Sequence, residues 1–218
     1  MAEALPSPPS RELQVIRPAE FVRPAQGLQW KPKNRLAVDL PLSGLKAWQG
    51  KGGFGRNHPA RSLPYSLEAR IPAQRGLLRR IYLVGIFALY AGADDEGVGT
   101  VGACVIVTQG EQVAYRIDLL NGRHYKDAFS SEPWRALPGD GSSVETVGFM
   151  DVEGSTARVD VLCIDLPSTV MGDTVIVKDL GSSSSFVIFD IFCEFESPSG
   201  CPFRLASGGV PLSDLPAI

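Results

Sequence analysis

The chain is expected to be all-β, an antiparallel β-sandwich, on three observations. In the last long apolar run, residues 186–195, the odd positions Val187, Phe189, Ile191, Cys193 and Phe195 are all apolar, while the even positions mix Phe186, Ile188 and Phe192 with Asp190 and Glu194. Side chains alternate across a strand, so a period of two marks a strand with one fully apolar face. Earlier segments repeat the pattern. Finally, 23 glycines and 17 prolines among 218 residues suit many short strands joined by turns, and a hydrophobic content of 44% is that of an ordinary globular protein. One large domain of this length can bury a proper core.

Taken in order, residues 1–35 carry prolines at 6, 8, 9, 18, 24 and 32, too closely spaced for a helix. They form an extended basic Pro-rich arm. Its apolar residues Leu13, Val15, Ile16, Phe21, Val22 and Trp30 require docking either on its own sandwich or on a partner, because an isolated extended segment buries nothing. The sandwich is expected over 36–200, with a C-terminal tail at 201–218. A first strand is expected at 36–40, ended by Pro41, and then a Gly- and Lys-rich surface loop at 44–59. Residues 63–71 alternate cleanly, with Pro64 at an edge-tolerant position. Residues 77–90 are apolar on both faces after Arg80, as in a central strand; Ile81, Val84, Ile86 and Gly85 weigh against a helix. Gln109-Gly110 separates strands at 101–108 and 111–119 as a two-residue hairpin signal. A long connection at 121–141, with one helical turn near 125–130, precedes strands at 144–150, 156–166 and 174–180. A serine-rich loop at 181–185 leads into the final strand.

The net charge of −3 hides an asymmetry. Residues 1–61 hold ten Lys/Arg against four acids, and the remainder holds 11 basic and 20 acidic groups. A basic leader on an acidic body can fold back on its own domain, dock on an acidic partner or touch nucleic acid. Thin spacing of the charges and few interleaved aromatics disfavour nucleic acid.

Cys104, Cys163, Cys193 and Cys201 form no C-x-x-C pair, and the first three sit in strand patterns. That points to reduced, buried thiols and a cytoplasmic protein. A Cys193–Cys201 bridge across the intervening turn is the alternative. The N-terminal segment lacks the charged and apolar regions of a signal peptide. The longest apolar run, 81–93, is too short to span a bilayer.

Two G-x-G-x-x-G spacings occur, at Gly50 to Gly55 and Gly97 to Gly102, but neither closes a strand and opens a helix, as dinucleotide binding requires. Having only His58 and His124 weighs against a multi-histidine metal centre within one chain. No G-x-S-x-G elbow is present. Loop acids such as Asp94, Asp127, Asp140 and Asp151 leave room for two further readings, a glycosidase-type carboxylate pair or a structural Ca²⁺ site. No other cofactor is expected.

The segment from Asn121 to Phe129 is the most site-like, because amide, guanidinium, imidazole, phenol, ammonium and carboxylate groups gather at the end of a strand. Arg123, His124, Tyr125 and Asp127, with Trp134 nearby, are the candidate ligand-binding residues. The competing reading has Asn121-Gly122 making a tight turn, His124 and Tyr125 packing under the loop, and Asp127 capping a short helix. Those residues, following an alternating strand, and Lys178-Asp179-Leu180 before the final strand give residues 36–196 a pattern that resembles the jelly-roll modules grouped with galactose-binding-like domains. The resemblance implies a jelly-roll sandwich without catalysis that binds a carbohydrate or another protein through loops at one end. The expectation is therefore a binding or assembly module, a complex subunit docking a protein partner or a second copy through its arm and loops. A carbohydrate-binding module using Trp134 and His124, and a hydrolase with a loop carboxylate pair, are the alternatives.

Overall fold

Among the described residues, thirteen strands and no helix make up the regular structure. The computed structural model describes residues 11–16, 23–24, 29–30, 48–49, 53–54, 66–71, 77–89, 97–130, 140–152, 154–180 and 185–196. The strands are β1 (Arg11–Ile16), β2 (Arg23–Pro24), β3 (Gln29–Trp30), β4 (Trp48–Gln49), β5 (Gly53–Phe54), β6 (Ser66–Arg70) and β7 (Leu77–Leu89). They continue with β8 (Val101–Gln109), β9 (Gln112–Leu120), β10 (Ser142–Val152), β11 (Ser155–Val170), β12 (Thr174–Asp179) and β13 (Ser185–Glu196). Two antiparallel sheets account for most of them. The larger runs β1-β13-β7-β11-β10-β3, with β5 also on β13, and the smaller runs β6-β12-β8-β9. No described helix could cross a membrane.

The two sheets share one apolar layer, which gives a β-sandwich-like architecture. Leu83, Leu162, Ile191 and Phe195 of the large sheet and Val105, Leu119, Val175 and Val177 of the small one belong to a single buried cluster. Each such side chain contributes about 1.5–3 kcal/mol by leaving water. The opposite face of the large sheet is buried too, with Val84, Ile86, Val159, Val161, Phe189 and Phe192 in a second cluster. The odd positions of β13 do not share one face: the register shift between Ile188 and Asp190 puts Phe186, Ile188, Ile191, Cys193 and Phe195 in the shared layer and Val187, Phe189 and Phe192 in the second cluster, and Asp190 is fully buried as well.

Most strands lie where the alternation placed them. The hairpin turn is shifted by one residue: Gln109 pairs with Gln112, so Gly110 and Glu111 form the loop, and Gly110 takes the positive φ of 59° that a two-residue hairpin needs. β11 runs on to Val170, beyond the alternating stretch, and β10 carries a register shift between Thr146 and Gly148. Part of the arm is a strand of the large sheet, since β1 pairs with β13 from Arg11↔Glu196 to Ile16↔Ile191. Short pairs cap the large sheet further: β5 lies on β13 at Phe186 and Val187, and β3 on β10 at Gly148 and Phe149. The strand expected at 36–40, the tail at 201–218 and nearly all of the serine tract lie outside the described residues.

Candidate functional site

The segment following β9 is a tight structure built on its own backbone. Gly122 has φ of 77°, and its N–H donates to the Tyr125 carbonyl at 2.7 Å, closing the turn that Asn121-Gly122 signals. Asp127 caps no helix. Its carboxylate accepts the Phe129 N–H at 3.0 Å, and its carbonyl accepts the Ser130 N–H at 3.1 Å, which makes a single turn.

His124 is fully buried, and both of its ring nitrogens are engaged. Nδ1 accepts the Leu120 N–H at 2.8 Å, which assigns the ring proton to Nε2, and Nε2 donates to Asp140 Oδ2 at 2.9 Å. Asp140 also accepts the Ser142 N–H at 2.9 Å, the Ser142 hydroxyl at 2.5 Å and Arg123 Nη2 at 2.6 Å. One carboxylate thus ties the start of β10 to the turn after β9. Ser142 meets Asp140, so the Ser-His-Asp order of a nucleophilic triad is not formed here. Tyr125 is fully buried, its ring edge-on to Phe186 at 4.9 Å.

The far end of the segment is pinned by a buried polar network. Arg158 donates to the Ser130 carbonyl and, at 3.3 Å, to Asp160, which also accepts the Thr146 hydroxyl at 2.7 Å. The Lys126 charge acts on Asp160 as well. Burial raises the Asp160 pKa despite these cations. Of the candidate residues, Arg123, His124, Tyr125 and Asp127 share this one segment. Phe129 stands more exposed than any of these, at 39%. Trp134 lies outside the described residues.

A second cluster escaped sequence reasoning because its members come from three strands and alternate with apolar residues. Arg80 of β7 donates to Asp165 of β11, and its Nη1 reaches Glu194 of β13 at 3.1 Å. The Tyr82 hydroxyl donates to Glu194 at 3.2 Å. Burial pushes the Tyr82 pKa up, and it pushes the neighbouring Cys163 thiol up to about 12. Cys104, Cys163 and Cys193 are free, buried thiols held in the unreactive protonated form, and Cys201 lies outside the described residues. No group of three or more His, Cys, Asp or Glu side chains suited to a metal ion occurs among the described residues.

The His124–Asp140 pair predicts a two-step acid response. Burial holds His124 below its ordinary 6.5, against the opposing pull of Asp140, so unfolding takes up a proton once the pH falls under about 6.5. Stability from this group is therefore full above that pH and falls on acidification. Although burial alone raises it, the Asp140 pKa is held at about 2 by the Ser142, Arg123 and His124 donors. Its contribution is present above the ordinary 3.8 and is lost as the pH drops from there through about 2. Urea titrations across this range should show both losses. His124→Asn should remove the first slope, and Asp140→Asn the second; unchanged slopes would rule out this assignment.

Compared with family models, with curated proteins and with solved structures, the chain matches none of them.

Proposed function

We propose that the chain is a non-catalytic binding or assembly module: a jelly-roll-type sandwich with a basic, Pro-rich arm that docks a protein partner through the arm and the strand-connecting loops. Support for the roll comes from nested pairing. β1 pairs with β13, β6 with β12, β7 with β11 and β8 with β9, all antiparallel, so the chain folds back on itself as a long hairpin with β10 added beside β11. The observation that carries the binding reading is the saturation of the groups best suited to catalysis. His124 uses both ring nitrogens and Asp140 accepts four hydrogen bonds, so they fix the shape of the loop, while Phe129 is left partly exposed on it. A rigid loop with a projecting aromatic side chain is suited to contact another surface.

Co-purification from native extract tests this, with the full chain, a chain lacking residues 1–10 and Phe129→Asp compared in parallel. A polypeptide recovered in constant stoichiometry with the full chain and reduced by both changes is the expected result. Recovery that neither change affects would overturn the proposed docking elements.

A further inference from the structure

β9 is an edge strand, and among the described residues only β8 pairs with it. The large sheet, by contrast, has β1, β5 and β3 lying along its margins. An uncovered edge presents unpaired N–H and C=O groups to another strand. On such a strand, alternate residues turn both groups to the same side. Leu120 identifies the free side, since its N–H donates to His124 Nδ1, and its carbonyl accepts the N–H of His124 at 2.9 Å and of Arg123 at 3.2 Å. Asn121 turns the other way, donating to the Thr100 carbonyl at 2.8 Å. The register shift between Leu120 and Leu119 places its extra residue, Gly102, on β8 and none on β9, and register is then uninterrupted from Leu119 to Tyr115, so Asp118 and Arg116 direct their backbone groups to the free side as Leu120 does.

We infer that β9 pairs antiparallel with β9 of a second copy about a two-fold axis at Ile117, joining the two small sheets into one. This rests on the assembly reading above and adds to the arm and loops a second interface, whose occupant is another copy of the chain. Charge complementarity selects both partner and register. Arg116 and Asp118 lie on one face of β9, are half-exposed, and are paired at 2.8 Å within the chain. With the axis at Ile117, Arg116 of each copy stands opposite Asp118 of the other, giving four charges of alternating sign and two hydrogen-bonded backbone pairs. Moving the axis to Arg116 sets Arg against Arg, and moving it to Asp118 sets Asp against Asp. Both neighbouring registers on that face are penalised, which is how a short edge specifies one alignment. Pairing stops at Leu120, whose backbone is already taken by the turn, and the residue it would face is the small Ala114. Val113, 61% exposed, comes beside the other copy's turn and loses apolar surface to water there. The contact is isologous, so it closes at two copies.

Sedimentation equilibrium of the purified full chain tests this. The expected mass rises with concentration to twice the 23.4 kDa of the chain. Arg116→Asp and Asp118→Arg should each weaken dimerisation by about tenfold or more, since two attractive cross-strand pairs become repulsive. Mixing the two variants should restore a heterodimer, because one copy then presents two carboxylates on this face and the other presents two guanidinium groups opposite them. A wild-type protein that stays monomeric into the millimolar range overturns the inference. So does a dimer that both variants leave intact, or a mixture that fails to associate when each variant alone is monomeric and folded. Because only purified protein is used, these outcomes are independent of partner capture from extract.

Discussion

Replacing Gly85 with alanine is expected to lower the stability of the domain by about 4 kcal/mol or more, at the extreme end of single substitutions. A Cβ at this position would fall 2.0 Å from the Val187 carbonyl oxygen, 3.1 Å from its carbonyl carbon and 3.2 Å from Ile188 Cα. All three are backbone atoms of a paired strand, so no rotamer change relieves the clash. Ordinary overpacking costs about 1–3 kcal/mol because side chains yield. Gly85 also faces Asp160 on its other side, and β13 shifts register just beyond it, between Ile188 and Asp190. Displacing β13 there disturbs the apolar layers on both faces of the large sheet. Chemical denaturation of Gly85→Ala measures the loss; a change under about 0.5 kcal/mol, the range of ordinary surface substitutions, would contradict the close approach of β13.

Tyr125→Ala should lower stability by about 3–5 kcal/mol, as truncation of a buried aromatic does. Its ring lies between the two sheets in the shared cluster, against Phe186. Tyr125→Phe should cost less than Tyr125→Ala, because it keeps the ring in the shared cluster against Phe186. Phe129→Ala, at a partly exposed position, should cost far less than Tyr125→Ala. Thermal and urea unfolding of the three variants give the order directly. If Tyr125→Ala left stability unchanged while abolishing partner capture, Tyr125 would be a contact residue rather than a support.

Local alternation made the long strands legible, but in β13 the odd positions do not form one face: the register shift between Ile188 and Asp190 leaves Val187 and Phe189 in the second cluster and Ile191, Cys193 and Phe195 in the shared layer, and no local pattern announces that extra residue. Covering on the far face of the large sheet was harder to read. Val187, Phe189 and Phe192 of β13 lie on it, yet Asp190 and Glu194 among them suggest solvent. Pairing of β1 with β13 joins opposite ends of the chain, and no local pattern encodes a partner so remote. Two-residue strands such as β3 and β5 are below any periodicity.

The candidate site was legible as a segment but not in its wiring. His124 and Tyr125 sit among polar neighbours, which left ligand binding and packing under the loop both open, and tertiary packing buries both. Asp140 looked like one loop acid among several. Asp140-Gly141-Ser142, a carboxylate two residues before a hydroxyl, was the available signal that it would organise a turn.

The position of β7 has a consequence for synthesis on the ribosome. Its lateral neighbours are β11 and β13, both from the last third of the chain, while its own apolar residues emerge much earlier. High contact order of this kind slows folding, because loop closure must be achieved before any pairing stabilises the strand. Until β13 leaves the exit tunnel, the nascent chain displays Leu83, Val84, Ile86 and Phe87 without their final partners. Over that interval the exposed apolar strand makes aggregation the expected competing reaction.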